Sequence, residues 1–263
     1  MKKLFRLFIR IVVIIGVFFF MPVGCMLAAH HTGTSAAWWE LRRDSSDQAP
    51  DASTGDAIIQ VYAARAARWR GAIGVHTWIA TKRSSENYYT RFEVLGYALR
   101  WTDSAVRIRR GSPDAYWYGN RPTLLREIRG DDQVDEMIDR LYAASTNYPY
   151  ADKYQVWPGP NSNTYIAWLA HHIPELQLEL PTTAVGKDYL PFGRVAAITP
   201  SHMGGQLSFG GYAGLLASLE EGVEVNLFGL SAGVDMWPPA IKLPGVGRIG
   251  MDDVRRKEYY SIQ

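Results

Sequence analysis

The sequence predicts an α+β domain, an antiparallel sheet with packed helices, behind an N-terminal transmembrane helix. Three observations predict this fold class. A long uncharged apolar segment stands at the N-terminus, short β-rich runs separated by turn residues follow it, and apolar residues at helical spacing come next. Hydrophobic residues are 47% and charged residues 21% of the 263 residues, a composition typical of folded proteins.

The N-terminal segment predicts where the protein resides. Residues 11–29 carry no charge and match the ~20 residues that a helix needs to cross a bilayer. Basic residues lie only on the N-terminal side of this segment, so the positive-inside rule places the N-terminus in the cytoplasm. We therefore expect a single-pass cell-membrane protein, with residues 1–29 in contact with membrane lipid and the domain in the periplasm or otherwise outside the cytoplasm.

Two other interpretations of the same segment stay open. Ala28 and Ala29 offer a small-residue cleavage site for a signal peptide, although the apolar region is longer than such peptides usually have. Cys25 could instead be the acylated residue of a lipoprotein, although Pro22 occupies a position that usually holds Leu. All three interpretations export the domain to the cell envelope.

The remaining chain is interpreted as a polar linker over residues 30–56 and a domain over residues 57–263. Turn residues separate four β-rich runs, which predict a meander of four strands at residues 58–62, 75–80, 88–99 and 105–108. Helices are expected at residues 122–128 and 134–142, and a third between Asn161 and Pro174. Two later β-like runs, 206–212 and 223–230, predict a C-terminal β-hairpin or small sheet.

Charge and cysteine content exclude several classes of function. Without the four bases among the first ten residues, 24 basic residues face 26 acidic ones. Nucleic-acid binding depends on clustered Lys and Arg, so we expect no nucleic-acid partner. The domain lacks cysteine, and the two His-His pairs are not spaced as metal ligands, so we predict no metal site and no cofactor.

Two familiar motifs lack the context that they require. Residues 229–233 have the G-x-S-x-G form of a hydrolase elbow, but no helix is predicted after Ser231 and no histidine follows it. Residues 245–250 have the G-x-G-x-x-G form of a dinucleotide site, but too little chain remains for a βαβ unit. Neither motif is interpreted as functional.

One constellation is a candidate catalytic site. A helix that begins at Ser162 offers free N–H groups and a positive dipole end, which would stabilise an oxyanion. His76 on a predicted strand would accept the proton of the Ser162 hydroxyl, and Glu93 on the next strand would orient the His76 ring. Asn161, Asn163 and Trp78 stand beside these residues and are candidate binding residues.

The same residues have a simpler interpretation. Asn161 and its neighbours are ordinary helix-capping residues, and His76 between apolar neighbours could be a hydrogen-bonded core histidine. The sequence therefore favours a binding or structural module of the cell envelope, with an envelope component as its expected partner. A serine-dependent amide or ester hydrolase, or an acyltransferase, is the alternative.

Several segments carry a family resemblance across the exported domain. They are GVHTWIATK (74–82), NYPYADKY (147–154), GPNSNTYIAWLAHHIPEL (159–176), AVGKDYL (184–190), EGVEVNLFGLSAGVD (221–235) and PGVGRIG (244–250). Together they resemble Domain of Unknown Function 3750, an uncharacterised bacterial family. The resemblance implies an envelope or membrane protein and no defined activity.

A more distant likeness concerns the order of the candidate site. A strand histidine followed by a helix opening with Asn-X-Asn looks like the permuted papain-like group, which includes PPPDE thiol peptidases and lecithin retinol acyltransferase relatives. His76 would match the base of that group, whereas Ser162 stands where those proteins have cysteine. The likeness implies a serine hydrolase on a thiol-hydrolase scaffold, a binding domain without chemistry, or a coincidence of pattern.

Overall fold

The computed structural model describes residues 2–30, 37, 39–251 and 260–261. These residues form helices α1 (Lys2–His30), α2 (Asp132–Thr146) and α3 (Ser162–His172), and strands β1 (Ala57–Arg65), β2 (Val75–Lys82), β3 (Thr90–Val94), β4 (Val106–Arg110), β5 (Thr123–Gly130), β6 (Ala196–Ile198), β7 (Gly204–Phe209), β8 (Ala213–Ser218), β9 (Gly222–Leu227), β10 (Leu230–Met236), β11 (Pro239–Leu243), β12 (Gly247–Gly250) and β13 (Tyr260–Ser261). The predicted α+β class is confirmed.

The first sheet has the strand order β13-β5-β1-β2-β3-β4. Strands β1 to β4 form the predicted antiparallel meander, and β5 returns to pair with the free edge of β1. Both faces of β1 are buried, because Ile59 and Val61 belong to the core under α2 and α3 while Ile58 and Tyr62 belong to a smaller core on the opposite face. Alternate residues of a strand point to opposite faces, so this sheet separates two packed layers.

The predicted helix at residues 122–128 is wrong. These residues form most of β5, which pairs with β1 along its length, with Ile128 opposite Ile59. Leu, Arg and Glu in this segment favour a helix locally, but the cross-strand pairing and burial against β1 outweigh that weak preference.

The predicted strand at residues 88–99 is shorter than expected. Strand β3 ends at Val94, and a short 3₁₀ helix follows from Gly96 to Arg100. Gly96 lies directly against the Tyr154 ring, where an added Cβ would come within 2.3 Å of a ring carbon. The pairing of β3 with β2 already ends at Phe92, opposite Ile79, and the close approach of Tyr154 requires a glycine where the 3₁₀ helix begins.

The C-terminal region is larger than the predicted hairpin. Strands β6 to β12 form a seven-stranded antiparallel meander in which neighbours in sequence are neighbours in the sheet. The predicted runs correspond to β7 and β9. The other strands are rich in Ala and Gly, residue types that are depleted in strands, so sequence reasoning did not predict them.

Part of the predicted linker is folded onto the domain. The Asp114 carboxylate accepts hydrogen bonds from the hydroxyls of Ser45 and Ser46 and from the backbone N–H of Gln48. Ser45 also forms an isolated β-bridge with Ala115. These contacts hold the chain between α1 and β1 against the loop that follows β4.

Helix α1 is long and apolar enough to cross a membrane, and it is the one such helix among the described residues. Most of its large apolar side chains are exposed, whereas Phe19 and Val23 are buried. This part of α1 packs on β10, β11 and the 3₁₀ helix Arg68–Ala72. The end of the helix is therefore joined to the domain, and its beginning projects from it.

Candidate ligand-binding cleft

A cleft of about 660 Å³ opens where the first sheet, α3 and the C-terminal sheet meet. Its walls are the start of β2, the end of β3, the 3₁₀ helix Arg68–Ala72, the start of α3 and the turn between β9 and β10. Seven aromatic side chains line it: Trp69, Tyr97, Trp117, Tyr118, Tyr154, Trp157 and Phe228. A volume of this size is typical of small-molecule sites.

His76 and Glu93 are in contact, as the sequence predicted. The distance from His76 Nε2 to Glu93 Oε2 is 3.5 Å, and the Glu93 carboxylate also accepts hydrogen bonds from Arg91 (3.0 Å) and Arg109 (3.1 Å). Burial alone would raise the pKa of Glu93, but the histidine and the two guanidinium groups lower that pKa to about 2. Glu93 is therefore an anion at neutral pH.

The His76 ring is held between a carboxylate and an indole. It stacks on Trp117 with ring centroids 3.8 Å apart, and burial lowers the pKa of His76 although Glu93 opposes this shift. An ionised carboxylate only accepts hydrogen bonds, so Nε2 carries the proton and neutral His76 presents an Nδ1 lone pair. Nδ1 makes no hydrogen bond within the described residues, and the side chain lines the cleft.

Asn161 caps the start of α3. Its side-chain oxygen accepts hydrogen bonds from the backbone N–H groups of Asn163 (2.9 Å) and Thr164 (3.2 Å), while its amide donates to the carbonyls of Val156 and Val185. Thr164 completes a capping box by accepting from the Asn161 N–H. The Asn161 side chain is thus fully used in positioning the helix.

Gly186 explains why this cap fits. Its φ is +96°, and an added Cβ would lie 2.4 Å from the Asn161 amide nitrogen. Its carbonyl accepts a hydrogen bond from the Thr164 hydroxyl at 2.7 Å. Any other residue here would have a strained backbone, and its Cβ would overlap the Asn161 side chain. Glycine is therefore required for the close approach of this loop to Asn161.

Asn163 ties α3 to β2. Its side-chain oxygen accepts a hydrogen bond from the Thr77 hydroxyl at 2.9 Å, and its amide donates to the carbonyls of Val75 and Val185. Asn161 and Asn163 both line the cleft, but their side-chain polar groups bind the protein itself. Between them, the hydroxyl and backbone N–H of Ser162 make no hydrogen bond within the described residues.

The strand geometry separates His76 from Ser162. Thr77 contacts the start of α3, so the neighbouring His76 side chain points to the other face of β2, towards Trp78 and Trp117. Both His76 and Ser162 line the cleft, which wraps around the start of β2, but no hydrogen bond joins them among the described residues. The structure brings His76 and Glu93 together as predicted. Within the described residues, the predicted hydrogen bond from the Ser162 hydroxyl to His76 does not form.

Trp78, the remaining predicted binding residue, lies below the cleft and does not line it. Its side chain is fully buried, its indole N–H donates to the Pro113 carbonyl at 2.7 Å, and the Arg91 guanidinium lies 4.6 Å from the ring centre. Trp78 therefore supports Arg91 and the loop that carries Trp117.

Sequence reasoning missed the residues that give the cleft its character. Two exposed cations, Arg70 and Arg100, line it, and no carboxylate does among the described lining residues. Trp157 donates its indole N–H to the Phe228 carbonyl at 2.6 Å and so joins the loop before α3 to the C-terminal sheet. These residues are far apart in the chain, and the one signal in the sequence was the abundance of aromatic residues, nine Trp and fifteen Tyr.

Comparison with known proteins adds a family and no activity. Residues 56–189 match the model of a family described as Protein of unknown function (DUF3750). The match covers β1 to β5, α2 and α3, and it ends before the C-terminal sheet. No curated protein and no solved structure was found to match the chain.

Proposed function

The chain belongs to the DUF3750 family of proteins of unknown function, and we propose that it is a membrane-tethered binding module of the cell envelope. The proposed ligand is an anionic phospholipid, held in the cleft around His76. The observation that carries this proposal is the chemistry of the cleft wall: seven aromatic rings and two arginines, with no carboxylate among the described lining residues. Such a wall suits an apolar chain joined to an anionic headgroup.

The position of the cleft supports a ligand that comes from the membrane. Trp69 and Arg70 belong to the 3₁₀ helix on which α1 packs, and both side chains line the cleft. If α1 spans the bilayer, this wall lies where the helix leaves the lipid. The basic residues before the apolar segment support a cytoplasmic N-terminus, and the burial of Phe19 and Val23 against the domain supports a helix that is retained.

Native mass spectrometry of the detergent-purified full chain tests the proposed ligand. Phosphatidylglycerol and phosphatidylcholine of equal chain length are added at equal concentration. We expect a one-to-one adduct that is more abundant with phosphatidylglycerol, because the anionic headgroup meets Arg70 and Arg100.

A matched pair of variants locates the binding site. The double variant Arg70→Gln/Arg100→Gln should lose most of the phosphatidylglycerol adduct. Arg68→Gln is the control, because Arg68 belongs to the same 3₁₀ helix and does not line the cleft. Equal adducts with both lipids, or equal loss in both variants, would contradict the proposal.

The start of α3 supports a second candidate, a serine-dependent amide or ester hydrolase. Ser162 lines the cleft with a hydroxyl and an N–H group that have no partner within the described residues, at the positive end of a helix. The position of His76 on the other face of β2 weighs against it, because a serine hydroxyl needs an aligned base.

A fluorophosphonate probe tests this second candidate. Labelling of the purified chain that disappears in Ser162→Ala and persists in Ser231→Ala would support the hydrolase. Ser231 is the control because its hydroxyl is buried and donates to Asp188. Labelling that is the same in the parent and in Ser162→Ala would end the hydrolase candidate.

A further inference from the structure

The C-terminal sheet has its polar side chains on the buried face and its apolar side chains on the exposed face, the reverse of a sheet in a water-soluble domain. Its inward face carries the buried polar residues Gln206, Glu224, Asn226, Asp235 and Lys242. The alternate positions point outward, and on the described strands β6 to β12 none of them holds a charged or hydrogen-bonding side chain. Apolar-out and polar-in alternation is the pattern of strands that face lipid.

The outward apolar residues form a continuous surface. Leu207, Leu215 and Val225 are partners across β7, β8 and β9, and Val234, Ile241 and Ile249 are partners across β10, β11 and β12. All six are exposed. A contiguous apolar surface of this extent marks an interaction site, because monomeric proteins rarely expose one to water.

The position of α1 identifies what covers this surface. The uncharged segment 11–29 is about 28 Å long as a helix, close to the ~30 Å hydrocarbon thickness. Val23 lies within that segment, yet the turn at Gly245 comes so close to it that an added Cβ would lie 3.6 Å from the Val23 Cα. Val23 is about 9 Å from the outer end of the segment, so burying the whole segment in lipid brings this edge of the sheet into the bilayer surface.

We propose that the outward face of the C-terminal sheet lies on the membrane that holds α1, with its apolar side chains in the boundary between headgroups and acyl chains. The proposal rests on the membrane tether of the proposed function and not on the ligand of the cleft. The sheet lies on the surface and does not span the bilayer, because its edge strands β6 and β12 would expose unpaired backbone groups to hydrocarbon. Amphipathic helices sit at a similar depth, about 5–10 Å into the boundary.

Site-directed spin labelling of the full chain in lipid nanodiscs tests this placement. Cys25 is the one cysteine in the sequence, so Cys25→Ser allows single labels elsewhere. Labels are placed at Val225→Cys and Ile241→Cys on the outward face, at Val13→Cys in α1 and at Glu136→Cys on the exposed side of α2. Collision rates with oxygen, which enriches in lipid, and with a water-soluble nickel chelate are compared.

We expect the labels at 225 and 241 to collide with the nickel chelate several-fold less than the label at 136, and with oxygen more. The label at 13 should behave in the same way. Nickel access at 225 and 241 equal to that at 136, with 13 still in lipid, would overturn the placement and leave the tether intact.

Two further outcomes would also overturn it. Spin–spin broadening at 225 and 241 that vanishes on dilution with unlabelled chain would show that a second copy covers the face. Nickel access at position 13 would remove the tether and this placement together. Neither result depends on lipid binding in the cleft, which the mass measurement reports independently.

Discussion

Two clusters of buried charged groups, one at the cleft and one under the C-terminal sheet, differ in how completely their polar atoms are paired. At the junction of the C-terminal sheet with the segment between α3 and β6, Lys242 Nζ contacts Glu179 (2.7 Å), Glu224 (3.1 Å) and Asp235 (2.7 Å). Lys187 bridges Glu224 (2.7 Å) and Asp188 (3.0 Å). At the cleft, the Glu93 carboxylate contacts Arg91, Arg109 and His76. The Nδ1 atom of His76 makes no hydrogen bond within the described residues.

The difference separates a structural role from a functional one. Burial would lower the pKa of Lys187, but the carboxylates of Asp188 and Glu224 raise this pKa by more than burial lowers it. Lys187 therefore stays a cation. The remaining Asp188 oxygen accepts hydrogen bonds from Asn226 and Ser231, which completes its shell. A closed cluster of this kind holds the segment between α3 and β6 on the C-terminal sheet. The cleft cluster instead contains an acceptor that the protein does not use, on a side chain that lines a space large enough for a ligand.

The largest expected effect is at the junction. Lys242→Met leaves three buried carboxylates without their shared cation and should lower the free energy of unfolding by about 3–5 kcal/mol. Denaturant unfolding of the full chain in detergent, followed by tryptophan fluorescence, measures it.

Arg109→Met is the control from the cleft cluster. Its side chain is 58% exposed, so losing its ion pair with Glu93 should cost no more than about 1 kcal/mol. If the two substitutions cost the same, the distinction between a closed and an open cluster fails.

The next effect concerns the start of α3. Asn161→Ala removes the cap of the helix and should cost about 1–2 kcal/mol. Asn147→Ala, at the exposed end of α2 with one hydrogen bond to Ala143, should cost less. Unfolding midpoints of both variants make the comparison. A neutral Asn161→Ala would contradict the capping role that its hydrogen bonds describe.

The smallest expected effect is a change in the pKa of the His76 ring. Burial lowers the pKa of His76 below 6.5, and Glu93 raises it, so Glu93→Gln should lower the pKa further. Nuclear magnetic resonance titration of the histidine ring measures both midpoints. A His76 midpoint above 6.5, or a rise in Glu93→Gln, would contradict the described environment.

The same shift predicts how stability depends on pH. Because the folded pKa lies below the unfolded value of 6.5, the contribution of His76 is complete above pH 6.5 and is lost as the pH falls towards the folded pKa. His76→Gln should therefore lose less stability between pH 7.5 and 5.5 than the parent chain. Equal losses would mean that His76 is solvated in the cleft.

Sequence reasoning was most successful where the signal is local. Helix α3 begins at Ser162 because Asn161 and Thr164 form a capping box, a pattern that a few adjacent residues specify. The pairing of His76 with Glu93 followed from their places on consecutive strands of a meander. Sequence reasoning failed at β5, where a helix-favouring segment became a strand only because β1 offers it a partner.

By itself, the sequence determined the α+β class, the apolar helix, the four-stranded meander and the pairing of His76 with Glu93, because hydrophobic period, turn residues and caps act over short distances. The tertiary structure decided which face of β2 holds His76, which distant aromatic and arginine residues meet in the cleft, and which side of the C-terminal sheet is apolar. Those outcomes depend on register and packing between segments far apart in the chain, where shifting a strand by one residue exchanges its two faces.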